Sequence, residues 1–186
     1  MRINDGIISD SAKKSNMSAS GMKKASKAIC ETLYDAFHAS PFYSGCVYLA
    51  FYGPDTAPDI REFAENMSIH SEKVFFPVMA GNTLQFFEQG PGARFTKNSE
   101  GIYEPEDITY PLDENDKAVI LLPPDVFMGN GGSRIAKCYL NFISIHPNIE
   151  SIDGIAFSSQ AAQVLSGSEI FITPGVIITE DGVSRL

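Results

Sequence analysis

Three cysteines and three histidines are all that this 186-residue chain has of either. Cys30, Cys46 and Cys138 are widely spaced and odd in number. That argues against a disulfide framework and for a reducing compartment, the cytoplasm. No cysteine pair has the spacing of metal ligands, and His38, His70 and His146 stand apart in sequence, so a zinc site is not expected. The cysteines read as small buried hydrophobes. No apolar run reaches the length of a membrane span. Residues 1–15 have neither a long apolar core nor a small-residue cleavage site, so they do not read as a secretory leader. Basic charge is scarce too: 14 Lys and Arg stand against 23 Asp and Glu, a formal net charge of −9. A basic surface for nucleic acid is therefore not expected.

What is present is core material. The composition is 44% hydrophobic with 13 Phe. The length suits one domain, spanning 1–186, with a sizeable core. Residues 1–17 are polar and weakly periodic and read as a loosely held lead-in. From Ser18 a helix is expected, because Met22, Ala25, Ile29, Leu33 and Phe37 recur at three- or four-residue steps. CVYLAFY (46–52) reads as a buried strand ended by Gly53-Pro54. Residues 55–67 read as a helix with Pro58 in its first turn. KVFFPVMA (73–80) and TLQFFEQ (83–89) form a hairpin about Gly81-Asn82. Residues 90–116 read as a surface excursion with one extended piece near ITYPL. KAVILLPP (117–124) is a third buried strand, 133–146 a helix, GIAFSS (154–159) a fourth strand and QAAQVLS (160–166) a short helix. GVIITEDGVSRL closes the chain through a turn at Asp181-Gly182. Alternating strands and helices, with continuous apolar strands, predict a three-layer α/β domain: a mostly parallel sheet flanked by helices.

The segment from Lys117 to Ile143 is the candidate binding element. An apolar strand runs into Pro123-Pro124, then a turn of Gly129, Asn130, Gly131 and Gly132, then a helix. Loops at the carboxyl ends of buried strands are where open α/β sheets bind ligands. Gly131 and Gly132 let the backbone approach an anion. Ser133 suits the helix N-cap, and Arg134 and Lys137 put two cations near that helix end. Residues 1–30 add Arg2, Lys13, Lys14, Lys23, Lys24 and Lys27 against only Asp5 and Asp10. Such a basic segment on an acidic protein can close over an anionic ligand, or be a solvated helix face.

Several collinear segments resemble one family, the 5-formyltetrahydrofolate cyclo-ligases, also called methenyltetrahydrofolate synthetases. They are KASKAICETL, VYLAFYGPDTAPDI, VFFPVM, GIYEPE (Gly101, Ile102, Glu104, Pro105), AVILLPPDVF ending at Phe127, GIAFSSQ and VIITEDGVSRL. The resemblance implies a cyclo-ligase-like fold, of the broader NagB, RpiA and CoA-transferase type. It also implies ATP and Mg as cofactors and conversion of 5-formyltetrahydrofolate to 5,10-methenyltetrahydrofolate. There the formyl oxygen is phosphorylated, the neighbouring amine closes the ring and phosphate leaves. Catalysis of that kind is largely positioning and neutralisation of phosphate charge. A cyclo-ligase reading would need the ATP phosphates to fall to Gly131, Gly132, Ser133, Arg134 and Lys137, with Arg2 and Lys13 as the N-terminal cations. The substrate falls to Tyr139, Glu104, Phe127 and Asp55. The partners implied are a reduced folate and a nucleotide, with no nucleic acid and no membrane, on a monomer or homodimer.

The departures from the family concentrate at its site. Its loop reads approximately R-L-G-Y-G-G-G-Y-Y-D; here Ser133 to Asn141 is about two residues shorter. Ile135, Ala136 and Lys137 stand where three glycines would, and Leu140 or Asn141 where the metal-binding Asp would. The family's Glu before the Asp-Thr pair, which meets the formyl-bearing part of the substrate, falls at Gly53 or is deleted beside Pro54. Neither a catalytic residue nor a metal ligand can be assigned on this basis; Asp55, Glu104 and Asp125 are the carboxylates in question. Three readings stand. One is a divergent cyclo-ligase. Another is a non-catalytic folate, nucleotide or anion-binding pseudoenzyme. The third is a partner-binding protein using Phe86, Phe87 and Phe95 as a contact patch.

Overall fold

A computed structural model describes residues 17–38, 40–99, 102–128, 133–167 and 169–186. The chain runs α1 (Ala19–His38), β1 (Val47–Leu49), α2 (Arg61–Ile69), β2 (Val74–Ala80), β3 (Thr83–Glu88), β4 (Phe95–Lys97), β5 (Tyr103–Pro105) and β6 (Ala118–Leu122). Next come the single turn α3 (Pro124–Phe127), α4 (Arg134–Ile145), β7 (Ile149–Ile155), α5 (Ser158–Leu165), β8 (Val176–Thr179) and β9 (Gly182–Arg185). Seven strands form one sheet in the order β3-β2-β1-β6-β7-β8-β9. The five central strands are parallel, and β3 and β9 are antiparallel edges. The expected three-layer α/β architecture is the one observed.

Side-chain alternation along the strands divides the core in two. Tyr48, Val74, Phe76, Val119, Leu121, Ile155 and Ile178 face α1 and α2. Val47, Leu49, Phe75, Ile120, Leu122 and Ile177 face α3, α4 and α5. All five residues of β6 are fully buried, as a central strand covered on both faces requires. The α1 stripe packs Ala25, Ile29, Leu33 and Phe37 inward. Ser18 caps that helix, its Oγ accepting the Gly21 N–H at 3.1 Å.

Three element boundaries differ from the sequence reading. The second helix starts at Arg61 rather than near Asp55. The Pro54–Ala57 turn and the Ser26 hydroxyl, which accepts the Asp59 N–H at 3.1 Å, engage the preceding backbone, and Asp59 receives Arg61 instead. The strand expected at 154–159 is Ile149–Ile155. Gln160 Oε1 accepts the Phe157 N–H at 3.0 Å and so starts α5 at Ser158. The excursion 90–116 holds a two-stranded ribbon, β4 with β5. Residues 108–112 run along β3 through a single bridge, Phe87 to Pro111.

Candidate functional site

The strand order fixes where a ligand can enter. From β1 the chain winds to one side through β2 and to the other through β6, so β1 and β6 flank the point where the winding reverses. Crevices open at the carboxyl ends of strands at such a point. A cavity of about 300 Å³ lies there, with walls from Phe51–Pro54 after β1, Pro123–Val126 after β6, and Ser133, Arg134, Ile135 and Tyr139 of α4 and its approach. Pro77 and Ile102 close it from the hairpin side. The lining is mostly apolar with a few polar groups, as in small-molecule sites.

Asp125 is the one acidic residue among the described lining residues. It is half-buried, and burial pushes its carboxyl above the ordinary carboxylate range. No described residue donates a hydrogen bond to it. Tyr139 is buried, packs edge-on to Phe86 at 6.3 Å, and has its phenol pushed well up by burial. Its hydroxyl has no hydrogen-bond partner among the described residues. Arg134 lies at the exposed rim, where its guanidinium donates to the Gly81 carbonyl at 2.8 Å. Ser133 lines the cavity, and its hydroxyl makes no capping bond.

Tyr52 forms the far wall. Its ring stacks on Tyr103 at 4.1 Å and 13°, with the Arg61 guanidinium 4.0 Å above its other face. Lys97 lies 4.7 Å from the Tyr103 ring, completing a cation–ring–ring–cation stack. Arg61 also pairs with Asp59 at 2.7 Å, which lowers the Asp59 carboxyl despite its burial. Behind Tyr52–Pro54 lies a groove of about 740 Å³ lined by Lys23, Lys24, Lys27, Asp55 and Arg61. The basic stretch of α1 therefore faces a concave surface. Tyr52 and Tyr103 were not singled out from sequence; the one available signal was a tyrosine directly after a buried strand.

The residues proposed from sequence separate spatially. Ser133, Arg134 and Tyr139 share the cavity, with Asp125. Asp55 lies exposed in the neighbouring groove. Lys137 is on the outer side of α4, exposed to solvent. Phe127 is fully buried in the core, where its ring would lie 3.1 Å from a Cβ at Gly154. Glu104 braces the ribbon: its Oε1 accepts the Met79 N–H and the Asn98 amide, each at 2.9 Å. Gly131, Gly132, Arg2 and Lys13 lie outside the described residues. Leu140 points away from the cavity, exposed, and Ile135 lines it without filling it.

Gly53 lies in the turn after β1, where the sequence resemblance led us to look for a carboxylate. A Cβ there would meet the Ala57 Cβ at 2.8 Å, closer than real side chains approach. The position cannot carry a side chain unless the turn moves. Mg usually takes one or two carboxylates together with substrate phosphates and water. The described cavity offers Asp125 alone, and no cluster of three potential ligands occurs among the described residues. With Lys137 turned outward, the described residues do not assemble a magnesium–triphosphate cradle.

The sequence matches no protein-family model and no curated protein. Solved structures do match. The 5,10-methenyltetrahydrofolate synthetase of Aquifex aeolicus superposes with a TM-score of 0.64 at 17% identity, over 94% of this chain and 87% of that one. The chain has the fold of a methenyltetrahydrofolate synthetase. The enzyme of the same name from Mycoplasma pneumoniae superposes with a TM-score of 0.55 at 15% identity, over 89% of this chain and 90% of that one. This cyclo-ligase-like architecture is an α/β fold whose central sheet is mostly parallel. No helix among the described residues is long and apolar enough to cross a membrane.

Proposed function

We propose that this chain is a divergent, cyclo-ligase-like protein of the cytoplasm. In this reading it binds a reduced folate of the 5-formyltetrahydrofolate class in the cavity between β1 and β6, and ATP-dependent ring closure is slowed or lost. The observation that carries the reading is the contact between Gly53 and Ala57. Ring closure by the family's route calls for a carboxylate near the formyl-bearing part of the substrate, and the close approach of Ala57 leaves Gly53 without room for one. Binding needs less. An apolar slot with Tyr139 on one wall, Asp125 at its end and Arg134 at its rim suits a flat heterocycle with an anionic tail.

A second reading, an active cyclo-ligase using ATP and Mg, is favoured by Asp125 and Arg134 lining one cavity: a metal-binding carboxylate beside a phosphate-binding cation. The aromatic contact patch has no support, since Phe86 and Phe87 are buried and Phe95 packs edge-on against Phe76 at 4.9 Å. Purified protein titrated with 5-formyltetrahydrofolate and with MgATP separates the readings by melting temperature and by methenyl absorbance. The folate is expected to raise the melting temperature without product, and Ile135→Phe, which fills the cavity, to abolish the shift. Product formed in proportion to protein would establish the active enzyme instead. No shift with the folate would end the binding proposal.

A further inference from the structure

Asp125 is an unspent carboxylate at the cavity. Among the described carboxylates, Asp59 is occupied by Arg61, Asp153 by Ser151, and Glu104 by Met79 and Asn98, while the half-buried Glu72 and Glu88 lie away from this cavity. Asp125 has no such donor among the described residues, yet it is half-buried at a cavity whose other walls at that end are Pro123, Val126 and Ile135. A carboxylate held in apolar surroundings without a donor carries a desolvation cost that a ligand's N–H groups would offset. Two oxygens in one plane suit two adjacent N–H donors, the bidentate geometry that carboxylates adopt with guanidine-like edges. Tyr139 presents a second unpaired polar group on the same cavity. Arg134 sets an opposite charge at the rim, with its guanidinium partly engaged by Gly81.

We propose that Asp125 reads the edge of the bound heterocycle, pairing with a ring N–H and the adjacent exocyclic amino group, while the anionic tail leaves past Arg134. The ligand class is thus a flat 2-amino-4-oxo ring system carrying an acidic substituent. This rests on the folate-binding reading for the identity of the natural ligand, but the edge recognition stands on the cavity itself. Asp125 here is a specificity-determining residue and takes no part in bond making.

The test uses two small probes on the full chain, 6-methylpterin and 6-methyllumazine; the second replaces the 2-amino group by an oxo group, with a proton on N1, and so lacks the adjacent N3–H and 2-amino donor pair. Wild type at neutral pH is expected to bind the pterin at least about tenfold more tightly, since a charge-assisted pair is lost in the lumazine. Asp125→Asn should narrow or invert that ratio, because an amide can donate to the 2-oxo group. Pterin affinity of wild type should fall as the solution is acidified through the raised Asp125 pKa, and that of the variant should not. Equal binding of the two probes, or binding of neither, overturns the proposal. So does Asp125→Asn weakening only Mg-dependent binding, which would make Asp125 a metal ligand. A parallel titration with 5-formyltetrahydrofolate keeps the two ideas apart. Pterin discrimination without folate binding removes the folate reading and leaves the edge recognition. Folate binding indifferent to Asp125→Asn does the reverse.

Discussion

Asp153→Asn should stabilise the protein progressively, relative to wild type, as pH rises. Asp153 sits mid-strand in β7, 2% exposed, with the Ser151 hydroxyl donating to its Oδ2 at 3.1 Å. Burial pushes its pKa up from 3.8 to about 6. A carboxyl whose folded pKa is raised contributes its stability in full below the unfolded pKa, near 3.8, and loses it as pH rises through about 6. At about 1.4 kcal/mol per pH unit of that gap, the loss is on the order of 3 kcal/mol. Asparagine keeps an acceptor for Ser151 but brings amide N–H groups with no described partner, a constant penalty of about 1–3 kcal/mol. The pH-dependent part is therefore the quantity to read. Urea denaturation of both proteins from about pH 3, below the unfolded pKa, to about pH 7, above the folded one, should show the variant gaining about 3 kcal/mol on wild type. With a urea slope of about 2 kcal/mol/M, that is a relative midpoint change of roughly 1.5 M. A difference that stays constant with pH would refute the reasoning, because it would mean that Asp153 is ionised in the fold at little cost.

Gly53→Ala should cost about 1–3 kcal/mol by overpacking against Ala57. The double variant Gly53→Ala with Ala57→Gly should recover most of that loss in urea denaturation; no recovery would mean that the contact does not set the loop. Glu104→Ala should cost about 1–3 kcal/mol by stranding the Met79 N–H and removing an acceptor of the Asn98 amide. Hydrogen exchange should then rise at Met79 before it rises in β6. The cavity-filling Ile135→Phe and the edge-reading Asp125→Asn bear on ligands, through melting temperature and probe affinity respectively.

The scaffold was legible in the sequence because it depends on local periodicity. The α1 stripe and the uninterrupted run of β6 each bury the residues their pattern names. The two misplaced starts, α2 and β7, fail for different reasons. Ser26 reaches from α1 to the Asp59 backbone, a partner outside any local window, whereas the capping bond from Phe157 to Gln160 ends the β7 segment and starts α5 locally. The polar run IESID gave little strand signal, although Ser151 and Asp153 lie inside β7. Ser133, Arg134 and Tyr139, named from spacing, line one cavity because they share one helix and its approach. Spacing did not convey that Lys137, on that same helix, faces away, or that Glu104 is engaged by backbone twenty-five residues distant. The Tyr52–Tyr103 stack joins segments with no local pattern in common.

Retention of the fold and change at the site are physically independent here. The cavity is bounded by the loops that leave β1 and β6, with Pro77 of β2 and the start of α4, and not by β1 or β6 themselves. Leu49, Ile120 and Leu122 are completely buried in the interior, and they would be buried equally well whatever loop came next. The geometry of the Gly53–Ala57 turn bears on what the cavity can hold without touching a core contact of those strands. The same holds for Asp125, which enters from the β6 side in a single helical turn whose neighbours Val126 and Phe127 stay fully buried. Asp125 and Val126 of that turn meet the cavity while Phe127 anchors it in the core. A carboxylate can therefore be presented there at the cost of its own desolvation alone, and a bound donor edge would offset that cost. Superposition on the synthetases thus argues for shared strands and leaves the chemistry to the loops.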